Sequence, residues 1–559
     1  MFSREDGRSK RSPESRAFGL DDILVEIGQF GKFQFCFFLL AFIFIIFNTT
    51  LQYGFVFTSS PVVYRCRVPE CDESQSLMYE KPWIHFSIPK NPGGHFEKCQ
   101  RYTLNSTNDQ KSCSAESYDR KVGIDCGNDF IFRDGEVTIS NEFEIFCSDE
   151  WKLSMVGTLG NLGQFLGIPL GGFFSDRYGC TKVLAFGGFL SAITGLVRSF
   201  SPSYFIFTTL IFLDNLFSST IYGTVFVLAL EIIGPKFRIR FGSLLRLCAG
   251  FSKFLLAVVA KTYPNWRLIE RIFYIPALAF VILPWILPES LRWLLSQGEE
   301  EKAVLTLKNA ARINKRKLSD FSIGKLLASN RERLSLGEEK KQSHLREAFK
   351  IFPRRIINCS LCWFANVFLF YGFTLNSVLL GGNKYNNFMY ISLIEIPGTI
   401  LAFLTINRYG RRFSLFGYLL MTGICVTVIM FVRPDHYNLK LMLNLLGKML
   451  ITASSHTLYV FTSEIFPTNA RSGLFAFCLM IGRIGSMVAP QMSILETYSF
   501  SAPTILLASS AFLSSYMVLT LPETNDEVTP ITLQVGDKIE ETDVNIEMET
   551  KEKHFVTNI

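Results

Sequence analysis

Long apolar blocks separated by short polar loops dominate this chain of 559 residues. Residues 33–57 contain no charged side chain, and a helix of that length crosses the roughly 30 Å hydrocarbon layer of a bilayer. Twelve such blocks predict twelve membrane-spanning helices: 33–57, 153–174, 183–199, 203–230, 241–260, 268–287, 356–380, 388–406, 413–432, 438–462, 472–490 and 502–521. The pattern therefore predicts an all-α membrane protein.

The second half of the chain repeats the first. Three short strings return about 230 residues later: 175–179 (SDRYG) as 406–410 (INRYG), 231–238 (EIIGPKFR) as 464–471 (EIFPTNAR), and 288–290 (PES) as 522–524 (PET). A near-constant separation indicates two copies of one six-helix unit. Many secondary transporters are built from such repeats, and their substrate site lies where the two halves meet.

The net charge of +7 bears on topology rather than on an anionic macromolecular partner. Basic residues concentrate before the first span and in the loops after the second, fourth and eighth spans, which all lie on one side of a twelve-span protein. The positive-inside rule makes that side, with both termini, cytoplasmic. We therefore expect a multi-pass protein of the plasma membrane, in contact with the lipid bilayer and without a cleavable signal peptide. No separate basic and aromatic stripe suggests nucleic-acid binding.

Five regions follow from this topology. They are a cytoplasmic N-terminus (1–32), a first six-helix bundle (33–287) that includes a large extracellular loop (58–150), a central cytoplasmic linker (288–355), a second six-helix bundle (356–521) and an acidic cytoplasmic tail (522–559). The second span carries glycines at helical spacing, which predicts a closely packed neighbouring helix.

The extracellular loop contains six cysteines: Cys66, Cys71, Cys99, Cys113, Cys126 and Cys147. Six cysteines in one extracellular segment predict three disulfides, for which fifteen connectivities are possible. The loop also contains Asn105-Ser106-Thr107, a sequon that predicts glycosylation at Asn105.

Several strings together resemble one transporter family. The DRYG loop at 176–179 and its copy resemble the signature loop of the major facilitator superfamily, and PESLRWLL at 288–295 is similar to its sugar and organic-ion branches. PNWR at 264–267, EIFPT at 464–468 and GRIGS at 482–486 resemble the organic cation/anion/carnitine transporters, solute carrier family 22, as does the six-cysteine loop. The resemblance implies a major facilitator fold of two six-helix pseudo-repeats.

The same resemblance implies a cytoplasmic gate built from charged residues of both repeats. Those residues are Asp176, Arg177, Glu231 and Arg238 of the first repeat, and Arg408, Arg411, Glu464 and Arg471 of the second. In the family they hold the cytoplasmic face closed in the outward-open state. Cys180 stands where the family usually has Arg, which predicts a weaker contact in the first half, whereas the copy keeps Arg411. Plain positive-inside anchoring explains the arginines but not the repeated Glu–Arg spacing.

Ionisable residues inside the spans are the main candidates for substrate recognition, because burying a charge there costs about 2.5–3.5 kcal/mol on insertion scales. Glu395 resembles the acidic residue of cation and carnitine transporters, and Arg483 the basic residue of anion and carnitine transporters. Two readings remain open: a mutual ion pair between the two helices, or a substrate with both charges matched at its two ends.

Other basic residues favour an anionic substrate. Lys253, for which we recognise no counterpart in the family, lies seven residues from Arg246 and so on the same helix face. Arg246 lies near the cytoplasmic boundary, where its side chain could extend to the headgroups. Lys448 matches a basic position common in the family.

Aromatic and polar span residues complete the candidate site. Matches to pocket positions of the family are Trp363, Phe370, Tyr371, Tyr222 and Phe226, whose rings could hold an amine, and His456 near the substrate. Packing against lipid or core remains an equal alternative for these aromatics, and hydrogen-bonded packing for His456.

The sequence thus predicts a transporter of small organic ions that works by alternating access, most plausibly on zwitterionic amine or carnitine-like compounds, then organic anions, then organic cations. A non-transporting receptor or scaffold on the same fold is the alternative from another class. Motifs of metalloproteases, nucleotide-binding loops and redox enzymes do not occur, so we expect no enzyme activity and no cofactor. Whether Na⁺ or H⁺ couples transport, and the oligomeric state, stay open.

Overall fold

A computed structural model describes residues 19–69, 71–72, 79–90, 96–104, 113–127, 129–133, 135–335, 348–433, 436–467, 470–499 and 501–524. The sequon at Asn105, residues 1–18 of the N-terminus and residues 525–559 of the acidic tail lie outside the described residues.

Each predicted apolar block coincides with a helix, so the twelve-helix, all-α prediction is confirmed. The helices are α1 (Lys32–Tyr53, continued by Phe55–Thr58), α2 (Trp151–Tyr178), α3 (Cys180–Arg198), α4 (Tyr204–Ser218 and Ile221–Ile232), α5 (Arg238–Thr262), α6 (Trp266–Ala277 and Leu283–Ile286), α7 (Pro353–Leu379), α8 (Lys384–Leu393 and Glu395–Tyr409), α9 (Arg411–Phe431), α10 (Tyr437–Ile465), α11 (Arg471–Val488 and Met492–Tyr498) and α12 (Ala502–Leu519).

Nine of these helices, judged over the described residues, are long and apolar enough by composition alone to cross a membrane. The three that fall short are α2, α5 and α10. They carry Gln164, Lys253 and Lys448, which are all buried inside the protein. These three helices are less apolar on average because they carry charged and amide side chains. Those side chains face the inside of the protein rather than lipid.

Close approach of α2 to α4 depends on glycine. A Cβ atom at Gly163 would meet the backbone oxygen of Phe212, and one at Gly167 the backbone oxygen of Leu216. Only glycine permits this separation, since any side chain would clash with the facing backbone. The packing interpretation of the glycine face is confirmed.

A break in α8 positions its intramembrane acid. Pro397 has no amide hydrogen, so it cannot bond to the carbonyl four residues earlier, and the helix is interrupted at Ile394. Glu395 begins the second segment, where the N-terminal end of a helix favours negative charge. The local sequence thereby places a carboxylate at a helix start in the middle of a membrane span.

The extracellular loop forms a small disulfide-linked unit. Strand β1 (Tyr64–Cys66) pairs with β4 (Phe130–Phe132), and β2 (Gln100–Leu104) pairs with β3 (Tyr118–Asp125), both antiparallel. Short helices span Ile84–Ser87 and Ile139–Glu142. The three predicted disulfides are confirmed, and their connectivity is Cys66–Cys126, Cys71–Cys113 and Cys99–Cys147.

The linker folds into helices Leu291–Ser296, Glu300–Ile313 and Asp320–Ser335. They pack on the N-terminal helix Leu20–Ile27 in a separate apolar core that contains Ile23, Leu294 and Leu307. The side-chain Oδ1 of Asn314 accepts a hydrogen bond from the Phe33 backbone amide at 2.9 Å, which ties the linker to the start of α1. Linker and N-terminal helix thus form one layer on the first half.

The two halves meet at the helix ends on the side of the disulfide-linked loop. Glu136, just before the short helix Ile139–Glu142, pairs with Lys384 and accepts a hydrogen bond from Tyr385 at 2.9 Å, both at the start of α8. The Phe57 ring of α1 stacks on Tyr385, with ring centroids 5.4 Å apart. Lys261 at the end of α5 donates to Asn386 at 3.1 Å. These contacts join the two halves on the side of the disulfide-linked loop in this conformation.

Candidate functional site

A large cavity lies between the two halves, with about 1350 Å³ of space between its atoms, including the open mouth. Helices α1, α2, α4 and α5 line it from the first half, and α7, α8, α10 and α11 from the second. The centres of water-sized spheres fit over about 230 Å³ of this space, and its lining of aromatic rings with a few polar groups is typical of sites for small organic ligands. The cavity lies at the meeting of the repeats, as the duplicated sequence suggested.

Glu395 is held by two lysines on one wall of this cavity. Lys253 of α5 and Lys448 of α10 both contact the same oxygen, Oε1, and the Lys448 Nζ lies 3.2 Å from it. The Lys253 side chain is 4% exposed and that of Glu395 12%. Two buried lysine side chains therefore share one carboxylate, and the formal charges of this cluster of three side chains, which we call the Lys–Glu–Lys cluster, sum to +1.

Lys448 does not line the cavity. Its side chain is fully buried, its Nζ donates to the Thr374 hydroxyl at 2.7 Å and to the Phe370 carbonyl at 3.2 Å, and it lies 3.1 Å from the centroid of the Phe370 ring. The prediction that Lys448 contacts the substrate therefore needs correction. All groups that Lys448 contacts belong to the second half, and of these it is the ion pair with Glu395 that links Lys448 to the charge of the cavity wall.

Arg483 does not pair with Glu395, so the interpretation as a mutual ion pair is wrong. Its Nη1 instead donates to the Gln164 side chain of α2 at 3.1 Å. The same Gln164 oxygen accepts a hydrogen bond from Gln52 at 3.0 Å. Arg483 reaches the cavity surface with neutral amide neighbours. It forms no ion pair with any described residue.

Arg246 lies in the cavity wall, not at the headgroups. Its guanidinium lies 4.0 Å from the centroid of the Tyr459 ring, across the boundary between the halves. The expectation that it extends to the membrane surface is wrong. The spacing of seven from Lys253 was the sequence signal for a shared cavity-facing side.

Four of the five predicted aromatic residues line the cavity: Trp363, Phe370, Tyr371 and Tyr222. Phe226 is not among the lining residues and stacks on Tyr222, with ring centroids 6.2 Å apart, so its predicted substrate contact needs correction. Sequence reasoning missed the lining residues Tyr53, Tyr459, Gln52 and Gln164. For Gln52, the signal was its spacing of four from Asn48 in an otherwise apolar span.

His456 also lines the cavity, on α10. Its Nε2 lies 2.9 Å from the hydroxyl of Thr399 on α8, so the ring is hydrogen-bonded within the second half. The geometry combines the two readings made from the sequence, because His456 both faces the cavity and takes part in packing between helices.

Two of the four predicted gating residues of the second half, Arg411 and Glu464, form a cluster at the end of the helices that carries the signature loop. Arg411, at the start of α9, contacts both Glu464 carboxylate oxygens at 3.0 and 3.2 Å, and Glu464 also accepts from Thr524 at 2.7 Å. Arg471 donates to the Phe466 carbonyl at 3.3 Å, whereas Arg408 is exposed and lies over the neighbouring Tyr409 ring. The cluster lies within one half of the protein.

The corresponding first-half residues are arranged differently. Glu231 accepts a hydrogen bond from Ser290 and forms no ion pair with a described residue. Arg238 pairs with Asp21 of the N-terminal helix instead, through contacts that include one of 3.1 Å. Asp176 and Arg177 are exposed; the Asp176 carbonyl accepts from the Trp293 indole at 2.8 Å. Glu231 and Arg238, which the family resemblance assigned to one gate, do not pair with each other in this conformation.

Comparison with known proteins adds to this geometry. Residues 98–529 match the family model described as "Sugar (and other) transporter". An organic cation transporter-like protein of Drosophila melanogaster is 28% identical over 95% of both chains. Mouse solute carrier family 22 member 3 is 28% identical over 93% of this chain and 96% of its own. The human organic cation/carnitine transporter 2 is 28% identical over 92% and 93%, respectively.

Among solved structures, a partially occluded inward-open conformation of the xylose transporter XylE from E. coli is similar over 89% of this chain and 99% of its own. The TM-score is 0.57 and the sequence identity 15%. A second XylE structure, bound to a bromodeoxyglucose, matches 70% of this chain and 91% of its own with a TM-score of 0.53 and 18% identity. At these identities the likeness supports the major facilitator fold alone.

Proposed function

This chain belongs to the sugar (and other) transporter family, within its solute carrier 22 branch, and we propose that it moves small organic ions bearing a carboxylate across the membrane. Proteins of this family are transporters and not enzymes. We further propose that the protein works by alternating access at the plasma membrane, with both termini in the cytoplasm.

The observation that carries this proposal is the charge on the cavity wall. Arg246 and Arg483 face the cavity without a carboxylate partner among the described residues, and the formal charges of the Lys–Glu–Lys cluster do not offset them. Unpaired charges in a low-dielectric cavity are costly, so an anionic ligand gains both attraction and relief of that cost. A guanidinium also matches the two oxygens of a carboxylate.

The rest of the lining suits an organic body. Trp363, Phe370, Tyr371 and Tyr459 present ring faces, and Asn366 and Ser455 supply a few polar groups among them. Apolar walls with few directed polar groups are typical of sites for small organic ligands. The substrate we infer therefore combines a carboxylate with an apolar or aromatic portion.

A zwitterionic, carnitine-like substrate is the second candidate. Glu395 lines the cavity, and one relative is named an organic cation/carnitine transporter. A substrate ammonium would have to compete with Lys253 and Lys448 for this carboxylate. We therefore rank the zwitterionic substrate after the anionic one, which reverses the order expected from the sequence.

Uptake into cells that express the chain at their surface tests the proposal. We expect saturable uptake of para-aminohippurate, less of carnitine and least of tetraethylammonium. Arg483→Gln should lower para-aminohippurate uptake about tenfold, since one lost charge-assisted contact is worth about 1.4 kcal/mol or more. Arg433→Gln, an exposed arginine outside both the cavity and the predicted gate, controls for loss of positive charge alone.

Two outcomes would contradict the proposal. Preference for tetraethylammonium over para-aminohippurate would exclude the carboxylate specificity. Absence of saturable flux for every compound, with the protein at the cell surface, would favour a receptor or scaffold on a transporter fold.

A further inference from the structure

We propose that the Lys253 ammonium occupies a built-in organic-cation site, and that this occupancy makes the cavity select against cations. The inference rests on the proposed function, because it assigns the charge selectivity of the same cavity to one residue. The site consists of Glu395 and the rings of Tyr53 and Phe370.

The surroundings of Lys253 are those that a substrate cation would need. Its Nζ contacts the Glu395 carboxylate and lies 5.1 Å from the centroid of the Tyr53 ring and 5.2 Å from that of Phe370. A carboxylate beside aromatic faces is how proteins bind ammonium and quaternary ammonium ligands. All four residues line the cavity. The lysine therefore fills, from within the chain, a site of the right chemistry for a diffusible amine.

Lys253 and Lys448 differ in what holds them. Lys448 has Thr374 and the Phe370 carbonyl as further partners, and it belongs to the same half as Glu395. Lys253 comes from the other half and reaches no hydrogen-bond acceptor but Glu395 among the described residues. Removing Lys253 would leave the Lys448–Glu395 pair intact and neutral, and would vacate the space between the carboxylate and the two rings.

Arg246 provides a matched comparison on the same helix. It also contributes one positive charge to the cavity wall, but it lies against Tyr459 and forms no ion pair with Glu395. If only the total charge of the cavity mattered, loss of either residue would admit cations equally. If Lys253 acts by occupying Glu395, only its loss should do so.

The experiment compares Lys253→Ala, Lys253→Gln, Lys253→Arg and Arg246→Gln for uptake of tetraethylammonium and para-aminohippurate, normalised to surface protein. Lys253→Ala should raise tetraethylammonium uptake about tenfold or more, and Lys253→Gln less, since its amide still fills part of the space. Lys253→Arg and Arg246→Gln should not raise it. Adding Glu395→Gln to Lys253→Ala should abolish the gain, because the carboxylate that receives the cation is then missing.

Two results would overturn the inference: no gain of cation uptake in either neutral variant that reaches the surface, or an equal gain in Arg246→Gln. If neither neutral variant reaches the surface, thermal stabilisation of the detergent-solubilised variants by tetraethylammonium is measured, and absence of stabilisation also overturns it. Failure of the proposed function looks different: the wild-type chain would lack para-aminohippurate uptake while Lys253→Ala still gained tetraethylammonium uptake.

Discussion

The helix ends that carry the signature loops have the same sequence motifs in the two halves but not the same contacts. In the second half, Arg411 and Glu464 form a bidentate ion pair between the start of α9 and the end of α10. In the first half, Cys180 takes the position of the arginine, and Glu231 accepts hydrogen bonds from the Ser290 hydroxyl and the Arg292 backbone. The duplicated frame therefore tolerates the loss of a charge pair in one copy.

What both copies keep is a backbone cap. Glu289 accepts from the Thr181 amide at 2.9 Å, and Glu523 accepts from the Arg411 and Arg412 amides at 3.0 and 3.1 Å. A carboxylate at a helix N-terminus satisfies free amides and matches the helix dipole. Here Pro-Glu-Ser and Pro-Glu-Thr each fix the start of the helix that follows the signature loop.

The glycine of each signature loop lies beside the carboxylate that caps the following helix. Gly179 and Gly410 have φ angles of 99° and 81°, which favour glycine. A Cβ atom at Gly410 would also lie 2.9 Å from the Glu523 carboxylate, and one at Gly179 would crowd Glu289 in the same way. The comparison teaches that backbone geometry defines the repeat, whereas the ion pair is an addition to it.

Making the second half resemble the first should have the largest effect. Arg411→Cys should destabilise the protein by roughly 1–2 kcal/mol, because a partly buried carboxylate loses a charge-assisted, two-point partner. We expect a lower melting midpoint of the detergent-solubilised protein and reduced uptake. Arg408→Cys, an exposed arginine in the same loop, is the control and should leave the midpoint unchanged. Equal shifts in both variants would show that the pair contributes nothing specific.

Releasing Arg238 from the N-terminal helix should have a smaller effect. Asp21→Asn removes the charge of a pair whose side chains are 24% and 29% exposed, so we expect a loss of about 0.5–1 kcal/mol. A double-mutant cycle with Arg238→Gln isolates the pair by comparing melting midpoints of the single and double variants. Strictly additive effects would mean that Asp21 and Arg238 are not coupled.

Restoring the missing arginine should have the smallest effect. The Cys180 side chain lies within electrostatic reach of the Glu289, Glu231 and Asp176 carboxylates. Cys180→Arg should therefore stabilise the protein by a few tenths of a kcal/mol, the usual value of a partly exposed pair. Cys180→Ser controls for loss of the thiol. A midpoint below that of Cys180→Ser would indicate that the first half has no room for the pair.

Much of the fold could be predicted from the sequence. Twelve apolar blocks gave twelve helices, and length and hydrophobicity mark nine of these, over the described residues, as membrane spans. The six loop cysteines were correctly expected to pair, but their connectivity could not be predicted, since it depends on which strands lie side by side. The twofold repeat correctly suggested a cavity at the boundary of the halves.

The candidate site was only partly predictable. Glu395 and Arg483 stood out because charges inside spans are rare, and both line the cavity. Their partners did not follow from the sequence, because each lies on a distant helix: Lys253 of α5 reaches Glu395 of α8, and Arg483 of α11 reaches Gln164 of α2. Helical spacing gives the face of a residue but not the helix that faces it.

By itself, the sequence determined the number of helices, the duplication and the presence of charges within the spans. These properties depend on local composition and on chain-wide patterns, which the bilayer translates directly into topology. The tertiary structure alone decided that Glu395 is neutralised by lysines and that Arg246 and Arg483 face the cavity without counter-charges. Charge selectivity depends on distances of a few ångströms between side chains far apart in the chain, and only the packing of the two halves sets them.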